Sequence, residues 1–275
     1  MKMRKKRNLQ EWFATVTLLI IAVFILFFPL YWTIIGSFKT PSEIFSLKLP
    51  SEWKFSNYPA ALQTGNWGRY FFNSFFTSGI IALGQTFFGA LAGYSLAKFR
   101  YPGKNVFFAT TIVTLPLSQQ VIFLPLFLMV SNFGWVDSYI GLIIPVLVAP
   151  FSIFLMRQYM LGISDSLIEA ARLDGASEPK IFFRIILPLS KPVLIVVFIL
   201  GLSSFYNNLL WPLVIIRSDQ LQTISLALQQ FKGAYVYRPD LILAATIMSL
   251  IPISVLFFFL QRFFMQGVSI SVEKE

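Results

Sequence analysis

Six stretches of this chain contain no Asp, Glu, Lys or Arg and are long enough to cross a hydrocarbon core: residues 14–35, 71–97, 105–130, 139–156, 192–216 and 241–260. A helix rises about 1.5 Å per residue, so roughly 20 apolar residues suffice. A transmembrane barrel would instead need alternating segments of about ten residues, which these runs are not. The 31 phenylalanines and the 12% charged content point the same way, since one aqueous core of 275 residues cannot hide that much apolar surface. The predicted fold is an all-α membrane protein of six transmembrane helices, with residues 1–275 forming one transmembrane domain.

The connections carry the charge. Of the 22 basic residues, 15 lie at the N-terminus, in the second and fourth connections and at the C-terminus, and 7 lie in the other connections. This asymmetry predicts both termini on the cytoplasmic side of a bacterial cell membrane. The net charge of +10 thus reads as topology, and no nucleic-acid partner is expected. The basic N-terminus resembles a secretory n-region, but the apolar run after it is too long and lacks a small-residue cleavage site, so an uncleaved signal anchor is expected. Trp32, Trp67, Tyr70, Trp135, Tyr139 and Trp211 fall near outer span ends and Trp12, Tyr94 and Tyr101 near inner ones, where amphipathic rings settle.

The chain has no cysteine and no histidine, which excludes disulfides, Cys/His zinc sites, thiol nucleophiles and Ser-His-Asp triads. It has no G-x-x-x-x-G-K-[ST] sequence. The spans hold no ionisable group of the kind that proton-driven carriers place in mid-membrane. They hold neutral polar residues instead: Gln85, Gln119, Gln120, Ser204, Asn207 and Asn208. Amides and hydroxyls are costly against lipid, so these side chains should face the bundle, either lining a pathway for a hydroxylated solute or bonding between helices. Pro29, Pro116, Pro125, Pro145, Pro150, Pro212 and Pro252 lie inside spans and should bend them. Gly89 and Gly93 give the second span a small-residue face suited to close helix packing.

The longest inner connection, residues 157–191, contains S-L-I-E-A-A-R-L-D-G-A-S-E-P-K-I-F-F-R-I-I-L-P over 166–188. Ser166 and Glu169 have capping-box spacing, so a helix is predicted from Leu167, ended by Gly175 in a left-handed cap. Ser177 should cap a second short helix with Pro179 in its first turn. Two short charged helices cannot sink into lipid or stand alone, so a cytoplasmic protein partner is expected. Glu169, Arg172 and Asp174 offer charge, and Ala170 and Ala171 permit close approach.

At these residues the chain resembles the membrane subunits of ABC importers, whose loop signature is E-A-A, three residues, G, nine residues, then I-x-L-P. It matches at Glu169, Ala170, Ala171, Gly175, Ile185, Leu187 and Pro188 with both gaps kept. The segments at 36–45, 92–104, 154–177 and 261–267 extend the resemblance to the smaller permease of the maltose and multiple-sugar type. The resemblance implies that the first loop helix docks on an ATPase subunit and couples its closure to the membrane helices. It further implies a second, different permease, a homodimeric ATPase that binds ATP and Mg, and an extracytoplasmic sugar-binding protein. The outer connection, with Gln229, Gln230, Tyr235 and Tyr237, is implied to contact that binding protein, or is a solvated connection with interfacial tyrosines. The tail departs from the family pattern, continuing V-S-I-S-V-E-K-E after Gly267. An importer for a glycerophosphodiester or polyamine, or a membrane scaffold or channel without ATP coupling, remains as an alternative.

Overall fold

A computed structural model describes the backbone of residues 2–234 and 237–272, and the side chains of residues 12–259 other than 119, 235 and 236. Tyr235, the Gln119 side chain and the side chains of the 261–267 segment and the tail therefore lie outside the described residues. Among the described residues every regular element is helical. The chain runs through α1 (Lys2–Gly36), a short α2 (Asn57–Leu62) and a long α3 (Trp67–Lys98). Then come α4 (Lys104–Thr114), α5 (Gln119–Asn132), α6 (Tyr139–Ile143) and α7 (Pro150–Leu161). The inner connection holds α8 (Asp165–Leu173) and α9 (Glu178–Ile181), a π-turn at Phe182–Ile186 and α10 (Leu187–Leu189). α11 (Lys191–Tyr206), α12 (Leu210–Ile215), α13 (Ile224–Ala234) and α14 (Pro239–Val272) complete the order.

Three helices are individually long and apolar enough to cross a membrane, at Trp12–Gly36, Trp67–Lys98 and Pro239–Phe259. They coincide with the first, second and sixth predicted spans. The other three predicted spans are not continuous helices. The span at 105–130 breaks over residues 115–118, where Pro116 removes a backbone donor. The span at 139–156 passes through a 3-10 turn, Ile144–Val146, and bends by 42° before Pro150 opens α7. The span at 192–216 breaks over residues 207–209. Here Asn208 Oδ1 accepts the Trp211 amide at 3.0 Å and starts α12, while Asn207 Nδ2 donates to the Ser203 carbonyl at 2.8 Å. Asn side chains compete with the helical ladder in this way, and Pro212 could not have continued it.

The residues group into two compact units, Met1–Asn66 with Leu228–Ile251 and Trp67–Ala227 with Pro252–Glu275. In the first, Gly36 allows a close approach to α14: a Cβ there would lie 2.5 Å from Leu243 Cδ1. The loop after α1 is pinned by buried Asn57, whose amide donates to the Ser37 and Lys39 carbonyls at 2.9 and 3.0 Å.

The second unit is built around α3, which is inside-out relative to a soluble helix. Asn73, Ser74, Thr77, Ser78, Gln85 and Gly89 are buried on one face, whereas Phe72, Phe76, Leu83 and Phe87 are exposed on the other. In lipid, large apolar side chains gain nothing by hiding, so small and polar residues occupy the helix contacts. A Cβ on Gly93 would lie 2.6 Å from Met156 Cβ, and one on Gly89 would lie 2.8 Å from Ser152 Cβ, so the small-residue face packs α3 directly on α7. A Cβ on Gly201 of α11 would lie 3.0 Å from Gln85 Oε1 and 3.3 Å from Ala82 Cα, a slightly looser approach to α3.

Candidate functional site

The inner loop is organised by its helix ends. α8 starts at Asp165, two residues before the predicted position, with Ser164 in extended conformation at its N-cap and no side-chain cap bond. The expected capping box does not form, because Ser166 lies within the first turn and shares a 2.6 Å hydrogen bond with Ser164 Oγ. The C-terminal end follows expectation. Gly175 has φ +75°, the Ala176 amide donates to the Ala171 carbonyl and the Gly175 amide to that of Arg172, each at 3.0 Å. This is a Schellman cap, and the left-handed residue sets the turn into α9. Pro179 sits in the first turn of α9, as predicted, whereas Ser177 holds the N-cap position in extended conformation without the expected side-chain cap bond. Pro188 cannot donate to an i−4 carbonyl, and the wider π-turn before it accommodates the ring. The helix ending at Leu189 then meets α11 at 79°.

Three contacts seat this loop on the bundle. Ile168 is buried with Tyr94, Met160, Phe182 and Ile186 in one apolar cluster. Lys98, at the end of α3, has a nearly buried side chain and donates through Nζ to Asp165 Oδ1 at 2.6 Å and to the Ile163 carbonyl. Glu178 accepts from Arg172 Nε at 2.7 Å and from the Tyr94 hydroxyl at 3.0 Å, tying α8, α9 and α3 together. The Lys98 hydrogen bond and charge hold the Asp165 carboxyl below its ordinary pKa, and the Arg172 hydrogen bond does the same for Glu178. Arg172 is therefore occupied within the chain. Glu169, Ala170, Leu173 and Asp174 remain on the exposed side, and Leu173 is 89% exposed, unusual for a leucine. Ile185 and Leu187 are half-buried under the second helix and Pro188 is exposed. Sequence reasoning missed Lys98, Tyr94, Asp165 and Glu178 as partners, although Lys98 had been counted as a topology charge and Tyr94 as an interfacial ring.

The first two helix breaks meet at a cavity of about 330 Å³. Its lining takes in Gln85 of α3, Thr114 and Leu115 at the first break, Pro145, Val146, Val148, Ala149 and Pro150 at the second, and Phe205 just before the third. Phe123 and Phe151 also line it, and no charged side chain does among the described residues. Gln85 is buried and donates from Nε2 to the Val146 carbonyl at 2.9 Å. Irregular backbone at membrane depth is tolerated where it lines such a space. Of the five candidate pathway residues with described side chains, Gln85 alone lines this cavity. Gln120 bonds Ser118, Asn207 and Asn208 serve the third break, and Ser204 is exposed.

The outer connection is a helix rather than an open loop, since α13 carries Gln229 and Gln230 on its exposed side, and Tyr237 beyond it is 92% exposed. Its approach, residues 217–224, is moored to α3. Asn73, fully buried, donates to the Gln220 and Gln222 carbonyls at 2.9 and 2.8 Å and accepts from the Tyr139 hydroxyl at 2.6 Å. Ser74 Oγ accepts the Ile224 amide at 2.7 Å, and Tyr70 donates to Asp219 at 2.7 Å. Asp137, at φ +56°, accepts from the Arg217 and Ser218 amides, bonds that hold its carboxyl below the ordinary value.

Comparison with known proteins agrees with this architecture. Residues 85–270, well over half of the chain, match the model of the binding-protein-dependent transport system inner membrane component. The chain belongs to that family. It is 35% identical over 274 residues to the arabinooligosaccharides transport system permease protein AraQ of Halalkalibacterium halodurans, covering 97% of this chain and 98% of that one. It is 30% identical over 263 residues to the sn-glycerol-3-phosphate transport system permease protein UgpE of Yersinia enterocolitica, covering 91% and 93%. Its fold superposes on a subunit of a bacterial ABC transporter that imports the acidic polysaccharide alginate, with TM-score 0.80 and 26% identity over 91% of this chain and 95% of that one. This permease is thus an inner membrane component with several apolar helices and the ABC importer fold.

Proposed function

We propose that this permease is the smaller of two different membrane subunits of an ATP-driven importer for a neutral oligosaccharide. The observation that carries the proposal is the inner loop: a Schellman-capped helix seated on α3 and α7 through Ile168, with Glu169, Ala170, Leu173 and Asp174 turned outward. An apolar tip flanked by two carboxylates is suited to a cleft in a partner ATPase, which would bind ATP and Mg and perform the hydrolysis. In this reading α1, α3, α4–α5, α6–α7, α11–α12 and α14 are six crossings of one transmembrane domain, both termini are cytoplasmic, and 157–191 is the coupling loop. The outer segment, with Gln229, Gln230 and Tyr237, would meet a sugar-binding protein.

The substrate class follows from AraQ and from the lining of the cavity. Gln85, irregular carbonyls and three phenylalanine rings suit a hydroxylated, uncharged solute. A phosphate ester would ask for a cation in the pathway and a polyamine for a carboxylate, and the spans carry neither. The test is uptake of labelled arabinooligosaccharide by liposomes holding the complete transporter and its binding protein. ATP-dependent uptake unaffected by excess glycerol 3-phosphate is expected; uptake of glycerol 3-phosphate in its place would overturn the substrate assignment.

A further inference from the structure

Between α3 and α4 the chain turns over residues 99–103, and cations gather there. Lys98 and Arg100 flank the end of α3, Lys104 opens α4, and Arg157 approaches from α7. Lys104 lies below its ordinary pKa, first through burial and then through repulsion from Arg157 and Arg100; Lys98 adds to the repulsion, and Asp165 is the carboxylate that opposes it. Asp165 is already engaged by Lys98. Arg157 is turned back into the fold, its Nε donating to the Leu96 carbonyl at 3.3 Å and its guanidinium 3.7 Å from the centre of the Phe108 ring. Lys104 Nζ donates to the Phe99 carbonyl at 2.8 Å. Arg100 is exposed and makes no ion pair among the described residues. The turn therefore holds more positive charge than its own carboxylates neutralise.

Two adjoining hollows give this charge a shape. One, of about 390 Å³, is lined by Arg100, Tyr101, Gly103, Lys104 and Asn105. The other, of about 470 Å³, is a mostly apolar groove between α3 and α4 lined by Ala92, Ser95, Leu96, Tyr101 and Phe107, the Ser95 hydroxyl being turned to that of Tyr101 at 3.4 Å. Tyr101 belongs to both. Gly103, at φ +84° with nothing within 4 Å of a notional Cβ, leaves the turn open. A cationic hollow joined to an apolar groove at the end of membrane helices is complementary to an amphiphile with a negative head. Basic residues at span ends are accounted for by topology alone, but topology requires no groove.

We propose that this turn binds an anionic phospholipid, with the phosphate held by Arg100, Lys104 and Asn105 and an acyl chain lying along Tyr101 and Phe107. The inference rests on the chain's membrane location and not on which solute is carried. It would be tested on the delipidated, fully assembled transporter by native mass spectrometry during titration with phosphatidylglycerol or phosphatidylcholine. Phosphatidylglycerol should bind preferentially. Arg100→Gln should weaken it about fivefold, and Arg100→Gln with Lys104→Gln about twentyfold to thirtyfold, as expected for a polybasic lipid contact. Ala92→Phe, which fills the groove and leaves the charges alone, should also weaken binding, whereas Arg100→Lys should retain it. Equal binding of the two lipids, unchanged binding by the double variant, or displacement of the lipid by inorganic phosphate at equal concentration would overturn the proposal. Transport assayed in parallel in phosphatidylcholine liposomes reports separately on the importer reading.

Discussion

The two ends of α3 each hold a connecting segment, and they hold it by different chemistry. At the outer end, the buried, neutral Asn73 amide and Ser74 hydroxyl bond residues 220–224 directly through backbone, and charged groups, Arg69 on Gln220 and Asp219 on Tyr70, add bonds only at the rim. At the inner end, α8 and α9 hang on the apolar plug Ile168 and on ion pairs whose carboxylates reach solvent, Lys98–Asp165 and Arg172–Glu178. Buried amide bonds to backbone permit little adjustment without leaving carbonyls unpaired, whereas exposed ion pairs can stretch and re-form at small cost. The outer segment is therefore a fixed mooring, and the inner loop is seated firmly enough to be positioned yet loosely enough to move.

Removing the outer mooring should have the largest effect. Asn73→Ala takes a donor from the buried Gln222 carbonyl and the acceptor from the Tyr139 hydroxyl, while the exposed Gln220 carbonyl keeps Arg69 Nε at 3.1 Å; at about 1–3 kcal/mol for each buried group that loses its partner, the variant should lose on the order of 3 kcal/mol. Thermal unfolding of the purified complex checks this, and an unchanged midpoint would show that the mooring is not buried in the assembly. Gly175→Val comes next: a β-branched residue at φ +75° should cost about 1–3 kcal/mol locally. Its signature is loss of ATPase association with normal membrane insertion.

The inner loop was readable because its signal is local. Gly175 and Pro179 act within a few residues of themselves and are found where their chemistry demands, and Ser177 stands at the N-cap position, though without a side-chain cap bond. The start of α8 was misplaced because Ser164 and Ser166 are both competent caps, and the choice of Ser164 coincides with Lys98 gripping Asp165 and the Ile163 carbonyl, a contact 65 to 67 residues away in sequence. Asn73 was overlooked for the same reason: its partners, Tyr139, Gln220 and Gln222, are 66 to 149 residues away. Its one local trace was the polar run Asn73, Ser74, Thr77, Ser78 at helical spacing inside an apolar span. The long apolar runs announce membrane helices and Pro116 marks a bend at 115–118, but Pro29, Pro125 and Pro252 stand inside unbroken helices, so proline alone does not separate a continuous span from a broken one.

Lys98→Met should be nearly neutral for overall stability, because the Asp165 end of the pair is screened by solvent, yet should lower coupled transport relative to ATP hydrolysis. A proportional fall in both would assign Lys98 to assembly instead. The smallest effect is on pH. Asp165 and Glu178 have depressed folded-state values, so their contribution is present above the unfolded carboxylate range and is lost as pH falls through the folded values. Hydrogen exchange corrected for intrinsic rates should show protection falling over residues 165–178 only on acidification below about pH 3, while residues 222–226, moored by Asn73 and Ser74, hold theirs.

The central claim is that the exposed side of α8 is where the ATPase engages. The most direct measurement is the affinity of the purified ATPase for the membrane complex carrying Glu169→Lys, with transport assayed in the same preparation. If Glu169 makes a charge-assisted hydrogen bond to the partner, its reversal should weaken association by about 1–3 kcal/mol, or roughly tenfold to a hundredfold, with transport falling in step. A variant that inserts normally, binds the ATPase with unchanged affinity and transports at full rate would contradict the account.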